Sequence, residues 1–166
     1  MNPVNEQTPP QRFHVISTAP FDRVVARLEA AVGHPEISQF QAELAAARNY
    51  DELKAIVDRA VGPSGLMEFI RFGLGAVNRT VMGAGAPRSL RFLIGNPLVM
   101  QQMVRHVPDA GSYAPVTVLI DERAEGVRLS YDRMAGFLAP YGEPNALNVA
   151  QELDHKIETL LTACAA

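Results

Sequence analysis

The stretch from Arg88 to Arg133, RSLRFLIGNPLVMQQMVRHVPDAGSYAPVTVLIDERAEGVRLSYDR, constrains this chain more than any other. Leu90, Phe92 and Ile94 alternate with Arg91 and Leu93, the period-two pattern of a strand. Gly95-Asn96-Pro97 then turns that strand into a helix. The Asn96 carboxamide suits an N-cap, and Pro97 suits the first helical position because its missing N–H would have had no partner there. Leu98, Val99, Met103 and Val104 face inward along a helix that runs from Pro97 to about His106 and is closed by Pro108. A tight loop from Val107 to Pro115 follows, containing Tyr113-Ala114-Pro115. Val116 to Glu122 and Gly126 to Tyr131 alternate again, forming a hairpin across Arg123-Ala124-Glu125 with Gly126 available for a positive φ.

The flanking segments carry simpler signals. Arg12 to Ala19 reads as a first strand with Phe13, Val15 and Ser17 on one face. Phe21, Val24, Val25, Leu28 and Val32 then recur at helical spacing until Gly33 and Pro35 stop the helix. Glu36 to Arg48 is a second helix that buries Ile37, Phe40 and Leu44. Asn49 and Glu52 open a third as a capping box, and Gly62-Pro63-Ser64-Gly65 ends it. Leu66 to Leu74 is the second strand, where Gly73 and Gly75 suggest a bulge or bend. Residues 76–88 read as a Gly-rich loop; Gly83-Ala84-Gly85 lacks the Lys-Ser/Thr and the following helix that a phosphate loop needs. A long amphipathic helix runs from Pro144-Asn145 to about Cys164. Val149, Ala150, Leu153, Ile157, Leu160, Leu161 and Cys164 form its stripe, and Glu152, Asp154, Lys156 and Glu158 take the other positions.

Composition narrows the function classes. At 166 residues the chain has the length of one domain, expected over residues 12–166 behind a flexible arm at residues 1–11. A net charge of −3, without interleaved basic and aromatic residues, argues against nucleic-acid partners. The lone Cys164 excludes an intramolecular disulfide and a Cys-based zinc site, and it reads as a helix-end thiol. His14, His34, His106 and His155 fall on separate elements without metal-ligand spacing, so no metal is expected. Neither a secretory leader nor a run of ~18 apolar residues occurs. The expectation is a cytoplasmic protein without membrane contact.

The segments RFLIGNPLVMQQMVRHVPDAGSYAPVTVLIDE and GVRLSYDR resemble the bacterial domain-of-unknown-function family 302 (DUF302). The resemblance is specific over Arg88 to Arg133 and looser over Arg12 to Val32 and the last helix. Residues 36–61 depart from the family's short members and read as a helical insertion. The resemblance implies an α+β fold: an antiparallel sheet packed against helices, similar to the TATA-binding-protein-like class, with a long amphipathic C-terminal helix. It also implies a homodimer. No activity, cofactor or catalytic residue comes with it.

No nucleophile–base–orienter set is visible, so binding is expected ahead of catalysis. The candidate ligand-binding residues are Asn96, His106, Tyr113, Tyr131, Asp132 and Arg133, the polar groups at the ends of the central elements. They would face a pocket between the sheet and the Gly-Asn-Pro helix that takes a small anionic or aromatic molecule. Two alternatives stand beside this small-ligand or sensory module. One is an enzyme whose acid/base group is among His106, Tyr113 and Asp132. The other is a structural assembly module with an edge strand paired across a dimer.

Overall fold

The alternating segments pair into one antiparallel sheet. In the computed structural model, which describes residues 11–166, the strands are β1 (Arg12–Ser17), β2 (Met67–Gly73), β3 (Ser89–Gly95), β4 (Val116–Arg123) and β5 (Gly126–Asp132). Their order is β1-β5-β4-β3-β2. The arm expected over residues 1–11 lies outside the described residues except for Gln11. The hairpin register sets Val118 opposite Tyr131 and Ile120 opposite Leu129, and the β3–β4 register sets Phe92 opposite Val118. One face therefore gathers Phe92, Val118, Ile120, Leu129 and Tyr131, all buried. The opposite face stays open at Ile16, Ile70 and Phe72, which are 45%, 45% and 40% exposed.

Three helices cover the buried face. Phe21, Val24, Val25 and Leu28 form the inner stripe of α1 (Phe21–Ala31). Burying each such side chain contributes on the order of 1.5–3 kcal/mol before entropy is subtracted. α5 (Pro97–Val104) adds Met103, and α7 (Pro144–Ala165) adds a stripe from Ala146 to Cys164. Burial pushes the Cys164 thiol up to about 11, so it stays protonated and inert at neutral pH.

A smaller, second core lies beside the first. α2 (Ile37–Ala46) and α3 (Tyr50–Ala60) close over Met67 with Phe40, Val57 and Ala60. The Asn49 Oδ1 cap accepts from Glu52 N–H at 2.9 Å. The box closes differently from expectation, because the Glu52 carboxylate accepts from Arg48 N–H rather than from Asn49. The chain leaves the main core at Gly33 and returns at Gly62, and both N–H groups donate to Leu66 O at 2.9 Å.

Two expectations need correction. Residues 76–88 are not all loop: α4 (Gly75–Met82) fills most of that stretch. It has no side-chain N-cap, and Val77, Val81 and Met82 point outward at 69%, 80% and 67% exposure, so its apolar spacing does not mark a core face. Gly83, at φ 92°, is the stop of this helix. The bulge in β2 sits at Phe69, not at the glycines: Glu68 pairs with Ile94 and Ile70 with Leu93, leaving Phe69 as the extra residue. α6 (Met134–Leu138) completes the helices. Among the described residues, no helix is long and apolar enough to cross a membrane.

Candidate functional site

The two cores do not fuse where they meet. Between them lies a cavity of about 190 Å3, at the junction where β3 becomes α5. Its floor is Gly95-Asn96-Pro97 with Val99, Met100 and Met103 of α5. Ile37, Phe40, Gln41 and Leu44 of α2 form the opposite wall. The bulge at Phe69 re-aims that ring into the space, as an extra strand residue does. Ala114, Pro115 and Val116 close a third side, and Leu153 of α7 a fourth. Asn96 belongs to this lining, but both ends of its carboxamide are committed. Oδ1 accepts from Leu98 N–H at 2.9 Å as the α5 cap, and Nδ2 donates to Gly65 O at 3.0 Å. A cap of this kind stabilises a helix by roughly 1 kcal/mol.

Nothing in the lining titrates, and no hydroxyl or thiol is present. The space can hold an apolar body, but it offers no general acid, general base or nucleophile. Among the described residues, no three His, Cys, Asp or Glu side chains gather where a metal ion could sit.

The six polar candidates are not brought together. Only Asn96 reaches the cavity. His106 borders a separate polar depression beside Gln102 and Asn148, and its Nε2 accepts from Arg105 Nε at 2.9 Å. Tyr113 stacks on Phe137 with centroids 4.8 Å apart, and its hydroxyl lies 3.3 Å from that of Tyr141. Asp132 accepts two hydrogen bonds of 2.7 Å from the Arg12 guanidinium, its partner in the β1–β5 register. Arg133 donates to Glu158 Oε1 at 2.6 Å. Tyr131 is inside the main core, 2% exposed. No hydrogen bond joins any two of His106, Tyr113 and Asp132 among the described residues.

The family model for DUF302, a domain of unknown function, matches residues 40–164. The chain belongs to the DUF302 family. The match begins inside α2 and takes in α3, the cavity lining apart from Ile37, and α7 up to Cys164. No curated protein matches the sequence. Among solved structures, the crystal structure of an uncharacterized conserved DUF302 protein from Bacillus stearothermophilus superposes with a TM-score of 0.60 at 12% identity. That likeness covers 93% of this chain and 94% of that one. At that identity the likeness shows the fold alone.

This DUF302 domain also contains a buried polar cluster that the sequence pattern does not reveal. Asp154, placed by helical spacing on the solvent side of α7, is only 6% exposed. Its Oδ1 accepts from the Tyr131 hydroxyl at 2.6 Å and from Met134 N–H at 2.7 Å; Oδ2 accepts from Ala135 N–H at 3.1 Å. The carboxylate caps the start of α6 from a different helix. Burial pushes the Asp154 carboxyl above its ordinary value, and the hydrogen bonds from Tyr131, Ala135 and Met134 offset this only in part. Burial beside this carboxylate likewise raises the Tyr131 hydroxyl. The only sequence signal for the cluster was an acidic residue one step from the apolar stripe, which a solvated helix face also provides.

Proposed function

We propose that this DUF302 domain is a small-molecule-binding module whose ligand occupies the cavity between the two cores. One observation carries the reading: a concave, apolar space at a strand-to-helix junction with no titratable or nucleophilic group in its wall. The same observation argues against the enzyme alternative, because His106, Tyr113 and Asp132 lie outside that wall. Amide NMR of 15N-labelled protein against mixtures of small fragments tests it. Shift changes should converge on Phe40, Phe69, Gly95 and Val116. Changes confined to the depression at His106, or none with any fragment, would contradict it.

A homodimer is the accompanying proposal, supported by Ile70 and Phe72, exposed together on the open face of the edge strand β2. Light scattering should give twice the 18.0 kDa of one chain, and Phe72→Glu should halve that mass. A wild-type mass of one chain at micromolar concentration removes the dimer without touching the cavity reading.

A further inference from the structure

The wall of the cavity restricts what can enter it. Building on its reading as the binding site, we infer that the ligand is an uncharged aromatic molecule of one ring with a substituent, or two fused rings. No Lys, Arg, His, Asp or Glu lines the space. A carboxylate or ammonium carried inside would lose its water and find no counter-charge, a cost that excludes ions from such sites. An uncharged body loses nothing of that kind.

Size and lining select within the uncharged molecules. A cavity of ~150 Å3 walled by Leu, Ile and Phe stays dry and accepts benzene. At about 190 Å3, this one has room for a somewhat larger ring system. Phe40 and Phe69 contribute ring surface from opposite elements, while Met100 and Met103 contribute thioethers. Thioethers adapt to ring edges and contact them favourably, so this set favours a flat π-system over a branched alkyl body.

One polar group remains for orientation. Gln41 is exposed where α2 borders the cavity, and among the described residues its carboxamide makes no side-chain hydrogen bond. A ring N–H or O–H pointing out of the cavity can donate to it. Gly95 supplies a way to narrow the space without unfolding the chain. A Cβ built there would sit 3.5 Å from Phe69 Cε2 and 3.5 Å from Pro115 Cβ, ordinary contact distances between two lining residues.

Indole is a suitable probe because the chain contains no tryptophan, so indole emission is free of tryptophan background. Titration should shift that emission to the blue and saturate at one equivalent. Gly95→Ala should weaken the affinity at least fivefold with the fold retained. Gln41→Leu should weaken indole severalfold and leave naphthalene unchanged. Sodium benzoate should displace indole only at more than tenfold higher concentration. Displacement by benzoate at matching concentration overturns the ligand class while the cavity reading stands. An emission that does not move, or that moves equally with Gly95→Ala, overturns both.

Discussion

Asp154→Ala is expected to destabilise the protein by about 3 kcal/mol, lowering Tm by roughly 6–12 °C for a chain of this size. The truncation removes the acceptor for three donors at once: the Tyr131 hydroxyl and the N–H groups of Met134 and Ala135. Each donor left buried without a partner costs about 1–3 kcal/mol. Met134 N–H retains the Tyr131 oxygen at 3.1 Å, which keeps the total at the lower end. Asp154→Asn preserves one acceptor oxygen and should cost less.

The pH dependence of this pair has a definite sign. The Asp154 carboxyl is raised in the fold, with burial as the main cause. Its contribution is therefore fully present below the ordinary aspartate value of about 3.9 and is lost as pH rises through the raised value. The stability margin of wild type over Asp154→Asn should shrink between pH 4 and pH 7 in urea unfolding. A margin that grows with pH would mean that the hydrogen bonds to the carboxylate outweigh its desolvation.

Gly33→Ala is the second large effect, expected to cost about 3 kcal/mol, the upper end of what overpacking usually costs. A Cβ on Gly33 would lie 1.9 Å from Ala60 O and 2.8 Å from the backbone carbons of Ala60 and Val61. No flexible side-chain end is available to move, so α3 must shift or the crossing must open. Gly62 faces the same constraint from the other strand of the crossing, with Val32 C at 2.4 Å. Hydrogen exchange should show the loss first in α2 and α3, the wall of the cavity. Gly85→Ala meets nothing within 4 Å and should stay within about 0.5 kcal/mol of wild type. Equal stability of Gly33→Ala and Gly85→Ala would show that the close crossing at Gly33 and Gly62 does not limit stability.

Local chemistry was legible in the sequence, and long-range contact was not. Asn96 caps α5, Asn49 caps α3, the inner stripe of α1 is buried, and Gly126 turns the hairpin at φ 134°. Each rests on residues within a few positions of one another. Gly33 and Gly62, by contrast, read only as helix stops, because their close approach is made by segments far apart in the chain. The inward turn of Phe69 depends on the register of β2 against β3. Asp154 becomes buried only because α6 begins against α7. Of the polar groups expected to meet at the Gly-Asn-Pro helix, only Asn96 lines the cavity there, and the other five lie outside its wall. Asp132 and Tyr131 are neighbours on β5, yet one side chain meets Arg12 and the other enters the core, since alternate residues of a strand face opposite ways.

If the space between the two cores is the proposed ligand site, an aryl iodide should enter it. Soaking crystals of wild type and of Gly95→Ala with iodobenzene tests this most directly, because the anomalous signal of iodine locates the ring. A peak is expected among Phe40, Phe69 and Met103 in wild type, with its loss or marked weakening in Gly95→Ala. An empty cavity in wild type, with iodine only on the open sheet face or at the depression beside His106, would contradict a ligand site there.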